Sequence, residues 1–209
     1  MSITLIFGPM FSGKTKELMR LAERHILGNE NVIMYKYSND VRYTKGDRKH
    51  LISSHDQTTF QAIPVLSFKD TKVPPNTDVV CIDEGQFIEG IVEFCNTIAD
   101  KGIKVYVSGL SGTYERKPFP RISNLIPFCK TLVHLSAVCI SCHKDGHFTR
   151  RLPVNGHVSN QIEVIGGNDA YVCCCRRCWN NEIHEHDLNL VKENIERTRV
   201  LKKNGDAPK

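Results

Sequence analysis

The chain has 209 residues, 40% apolar and 24% charged, with a formal net charge of +5 and nine cysteines. This is the composition of a globular protein with room for one main core and a small satellite. No apolar run approaches the ~18 residues of a membrane span. The first strand begins almost at the N-terminus, leaving no room for a secretion signal, and an odd cysteine count argues against a disulfide framework. A cytoplasmic location is therefore expected, and the mild positive charge suits anionic nucleotides without calling for nucleic acid or a membrane.

The apolar run Ile3-Thr4-Leu5-Ile6-Phe7 predicts a strand. It leads into Gly8-Pro9-Met10-Phe11-Ser12-Gly13-Lys14-Thr15, which fills every position of the phosphate-loop pattern G-x-x-x-x-G-K-[ST]. Gly8 and Gly13 let the backbone curl so that successive N–H groups form an anion nest at the start of a helix. Lys14 reaches the β- and γ-phosphates of a nucleoside triphosphate, and the Thr15 hydroxyl suits Mg²⁺. The helix is predicted from Lys14 to about Leu27, with Leu18, Ala22 and Ile26 on one face and Gly28 as its stop.

A second strand is expected at Val32–Tyr37, then a polar, mobile stretch over 38–61. Asp78-Val79-Val80-Cys81-Ile82-Asp83-Glu84 reads as a strand buried on both faces and ending in two acids. Its C-terminal end is where a parallel sheet places chemistry. Asp83 is the expected Mg²⁺ partner of Thr15. Glu84, pointing to the other side of an extended chain, is placed to take a proton or orient water. This acid pair fits kinases and ATPases alike. A helix over Ile91–Asp100 and strands over 103–107 and 131–135 complete an alternating β/α pattern, which predicts an α/β fold with a parallel, doubly wound phosphate-loop core over 1–136.

From Cys139 the character changes. Cys139-Ile140-Ser141-Cys142 and Cys175-Arg176-Arg177-Cys178 are two C-x-x-C knuckles, and four thiolates at such spacing suit a structural Zn²⁺. Cys173, Cys174, His143 and His147 leave the ligand choice open. The expected organisation is a small zinc-binding module at 137–180 and a C-terminal helix and tail at 181–209.

The phosphate loop, Ile82-Asp83-Glu84-Gly85-Gln86-Phe87, Arg116-Lys117-Pro118-Phe119, Glu163-Val164-Ile165-Gly166-Gly167 and the two knuckles together resemble the type II, cytosolic-type thymidine kinases over about residues 2–180. The resemblance implies transfer of the γ-phosphoryl of ATP to the 5′-hydroxyl of thymidine, and of deoxyuridine, by a homotetramer whose zinc-anchored lasso closes over the nucleoside. It implies Glu84 as general base, Asp83 and Thr15 as magnesium ligands, and Lys14, Asp40, Arg42 and Gln86 beside the ATP phosphates with the loop residues from Gly8 to Thr15. It further implies a nucleoside pocket of Met10, Phe87, Leu110, Tyr114 and Phe119. The lasso residues Thr149, Ile162, Val164, Ile165, Gly166 and Tyr171 would close it. Two other classes remain open on the residues alone: a nucleic-acid-stimulated ATPase carrying a zinc ribbon, and a non-catalytic nucleotide-binding scaffold.

Overall fold

The computed structural model describes residues 2–39, 51–53, 59–152, 171–181, 189 and 193. The predicted Asp40, Arg42, Ile162, Val164, Ile165 and Gly166, and nearly all of the expected C-terminal helix, lie outside these residues.

Six parallel strands form the central sheet, in the order β5 (Ile63–Val65), β2 (Val32–Tyr37), β6 (Val79–Asp83), β7 (Lys104–Leu110), β1 (Ile3–Gly8), β8 (Cys129–His134). The fold is mixed α/β with a parallel core, as expected. All five residues of β6 are buried, which explains its unbroken β-branched and apolar run. Alternation then divides them. Val80 and Ile82 join a core with Ile91, Phe94, Ile98, Ile122 and Leu125 from α2 (Ile91–Asp100) and α3 (Pro120–Leu125). Val79 and Cys81 face the other way, against Leu18, Met19 and Ala22 of α1 (Lys14–Leu27). Ile26, expected on the same face, is 46% exposed, so the buried stripe ends a turn before the helix does.

The polar stretch at 38–61 contains structure that its composition hides. β3 (Leu51–Ser53) pairs antiparallel with β4 (Thr59–Gln61), and β5 follows as the edge strand of the main sheet. Pro64 fits there because an edge strand spares one row of backbone donors.

Beyond the sheet, the chain makes two short antiparallel pairs. β9 (Ala137–Val138) pairs with β10 (Asp145–Gly146), and β11 (Phe148–Arg151) with β12 (Tyr171–Cys174); α4 (Arg176–Asn180) follows. Among the described residues, Cys139, Leu152, Val172 and Cys174 form a small buried cluster here, with Ile140 and Trp179 packed against it. No helix among the described residues is long and apolar enough to cross a membrane.

Candidate active site and cysteine centre

The loop after β1 is shaped by two left-handed residues, Phe11 (φ 66°) and Gly13 (φ 81°). Such residues turn backbone N–H groups toward one concavity, the geometry of an anion nest. A β-carbon at Gly13 would meet nothing within 4 Å, so glycine is required there by its φ and not by space. Gly13 also caps α1. Lys14 Nζ donates to the Pro9 carbonyl at 2.6 Å, arching over the loop.

At the neighbouring strand end the Thr15 hydroxyl donates to the Asp83 carboxylate at 3.1 and 3.3 Å. Pairing of Ile82 with Val107 brings Ser108 alongside Asp83, and the Ser108 hydroxyl donates to the same carboxylate. Thr15 and Asp83 therefore meet as expected, and the oxygen donors fit a hard divalent cation. Ser108 is an addition. Its only sequence signal is a hydroxyl near the C-terminal end of a largely apolar strand, and the structure buries it to 1% exposure.

Glu84 corrects an expectation. It does not continue an extended strand but adopts φ 54° and ψ 41°, capping a 3₁₀ turn over Gly85–Phe87. A left-handed conformation in a non-glycine residue costs on the order of 1–3 kcal/mol and persists only when the surroundings enforce it. Here Gln86, 2% exposed, donates from Nε2 to Glu84 Oε2 at 2.5 Å and accepts from the Leu110 N–H at 3.1 Å.

Around this corner lie the predicted pocket residues. Phe87 lies 5.2 Å from the Tyr37 ring and edge-on to Phe119 at 5.9 Å. Tyr37 was not predicted, being read only as part of a strand. The second half of the chain reaches the same region. Thr149 Oγ1 accepts from the Met10 N–H of the phosphate loop at 3.0 Å, and Arg151 lies between the rings of Tyr114 and Tyr171 at 5.3 and 5.7 Å. Arg116 stacks on Trp179 at 3.8 Å and faces Phe148 at 5.5 Å. These two arginines, neither foreseen as a site residue, tie the 110–119 loop to the cysteine-bearing segment.

The Sγ atoms of Cys139, Cys142, Cys175 and Cys178 all lie within 4.8 Å of one another, with Cys142 and Cys175 3.7 Å apart. Tetrahedral zinc with bonds of about 2.3 Å requires thiolates about 3.8 Å apart, so this donor set fits the ion. The Cys178 N–H, donating to Cys175 Sγ at 3.4 Å, helps bring that thiol down to about 7. Cys173 and Cys174 fall outside the cluster in β12, where burial pushes both thiols up to about 12 and keeps them protonated. His147 also stands apart, 5.7 Å from the His134 ring.

A sequence model described as thymidine kinase matches residues 1–179. The thymidine kinase of myxoma virus (strain Lausanne) is 42% identical over 178 residues, spanning 85% of this chain and 95% of the relative. The vaccinia virus (strain Western Reserve) thymidine kinase is 44% identical over 179 residues, 85% of this chain and 96% of its own length. Thymidine kinase 1 of Dictyostelium discoideum is 39% identical over 184 residues, 88% of this chain and 79% of that protein. A phosphate loop facing an acid pair, with a family match running from the first strand into the second cysteine knuckle, leads to one conclusion: this chain belongs to the thymidine kinase family of ATP-dependent kinases.

Proposed function

We propose that this protein transfers the γ-phosphoryl of ATP to the 5′-hydroxyl of thymidine, and of deoxyuridine, with Glu84 as general base. The observation that carries the reading is the corner where β6 ends. Thr15 and Asp83 share hydrogen bonds there, and Glu84 leaves the strand on a bend held by Gln86. In the reaction Glu84 accepts the 5′-hydroxyl proton as the oxygen–phosphorus bond forms and the bond to the β-phosphate bridging oxygen breaks. Lys14, Asp40, Arg42 and the loop N–H groups of residues 8–15 bind the phosphates and offset their charge. Thr15 and Asp83 would hold Mg²⁺, which when bound neutralises phosphate charge. Ser108 keeps the Asp83 carboxylate turned toward Thr15.

The nucleoside slot is read as Met10, Phe87, Leu110, Tyr114 and Phe119, closed from the cysteine-bearing side by Thr149, Ile162, Val164, Ile165, Gly166 and Tyr171. Aromatic walls confer affinity, and fixed backbone groups reject a base whose edge leaves them unpaired. The four clustered cysteines would hold a structural zinc, whose chemistry is to anchor the segment that carries Thr149 and Arg151. The protein works in the cytoplasm as a homotetramer, a state that light scattering checks. The test of the central role is Glu84→Gln, assayed by ATP consumption and by product identity with thymidine and with deoxyuridine. The reading requires a thymidine 5′-monophosphate product and a kcat reduced about 10²–10⁴-fold. Turnover within a few-fold of the parent enzyme rules the base assignment out.

A further inference from the structure

Gln86 is held at three polar atoms. Its backbone carbonyl accepts from Arg121 Nη1 at 3.3 Å, its Oε1 accepts from the Leu110 N–H at 3.1 Å, and its Nε2 donates to Glu84 Oε2 at 2.5 Å. The Leu110 N–H only donates and an ionised carboxylate only accepts, so the amide has one orientation that satisfies both neighbours. Space for it is made by a glycine. A β-carbon at Gly109 would lie 2.5 Å from Ile122 Cδ1 and 3.1 Å from Gln86 Oε1, displacing the amide or the α3 side chain behind it.

Glu84 meanwhile occupies a backbone conformation that resists any side chain. Its carboxylate is directed by a buried donor which is itself fixed to the last residue of β7. We propose that Gln86 is a positioning residue for Glu84. It is the strut that holds the base at a set distance from the Leu110 end of the nucleoside slot, and it does not contact the ATP phosphates. This rests on Glu84 being the base.

The test compares Gln86→Leu and Gln86→Glu with the parent enzyme, measuring kcat and both KM values. Gln86→Leu removes both side-chain bonds at similar volume. It is expected to lower kcat about 10- to 100-fold through lost alignment, with KM for ATP and for thymidine each within about threefold. Gln86→Glu keeps the oxygen that accepts from Leu110 but sets a second carboxyl against Glu84. Repulsion then turns the Glu84 carboxyl away, so kcat should fall while both KM values hold, and this variant serves if the leucine variant does not fold.

A double-mutant cycle separates positioning from general damage. In the Glu84→Gln background, Gln86→Leu should cost no further kcat, since the group it positions is gone. A rise in KM for ATP with kcat unchanged overturns the proposal and makes Gln86 a phosphate ligand. An equal loss of kcat in both backgrounds overturns it too. If Glu84→Gln alone retains turnover, it is the base assignment that fails, and the cycle identifies that failure separately.

Discussion

Glu84 and Thr15, proposed as general base and magnesium ligand, each make a distinct kinetic prediction. Replacing Glu84 with Gln removes a proton acceptor while keeping the side chain's shape, so kcat should fall while KM for thymidine stays within a few-fold. Thr15→Ala removes the hydroxyl that donates to Asp83 at 3.1 Å. Turnover of this variant should need several-fold more Mg²⁺ for half-saturation, read from a magnesium titration at fixed ATP. An unchanged magnesium requirement would remove Thr15 from the metal site. At this scale the sequence displays what a linear motif can carry, namely Lys14, Thr15 and Asp83. It hides Ser108, Tyr37 and Arg151, because each acquires its role from a neighbour across the sheet or across the two halves of the chain. The direction of Glu84 was hidden for another reason. Nothing in an acidic dipeptide announces that the second acid will bend to φ 54°.

Long elements were legible and short ones were not. Both α1 and α2 have the bounds read from their periodicity, because glycines mark their C-terminal limits and one face of each is apolar over more than two turns. β3, β4 and the four strands beyond β8 have two to four residues each. Strands so short take their stability from pairing partners, which local composition does not reveal.

The loop between β7 and α3, read in the sequence only as a motif and two pocket residues, has contacts that the sequence does not show. Its Arg116 sits at φ 62° and packs against Trp179, the single tryptophan of the chain. Arg116→Ala should raise KM for thymidine about fivefold, the scale of one cation–π contact of about 1 kcal/mol. It should also change Trp179 fluorescence, an independent sign that the loop has let go. An unaltered emission spectrum together with an unaltered KM would mean that the stack does not tie the loop to the pocket. In the main core, Leu18→Ala should destabilise the fold by about 2–5 kcal/mol in denaturant melts, since Leu18 is fully buried between α1 and the sheet.

The whole molecule is proposed to be two units with unequal means of support. The described residues of 1–136 form a sheet with helices on both faces, whereas those of 137–180 include four clustered thiols and a small buried cluster. One zinc per chain is expected. Cys175→Ser combined with Cys178→Ser should abolish it, and Cys173→Ser combined with Cys174→Ser should leave it bound, as read by elemental analysis. Loss of metal from the second pair would put the ligands elsewhere. Chelation should expose 137–180 to proteolysis and raise KM for thymidine while the 1–136 core persists, because the contacts from Thr149 and Arg151 depend on that segment.

The most direct test of the central claim is ATP turnover by the intact protein measured with thymidine, with single-stranded DNA, and with neither. The account predicts consumption only with the nucleoside, one thymidine 5′-monophosphate formed per ATP used. Equal consumption without any nucleoside, or stimulation by DNA in its place, would contradict it.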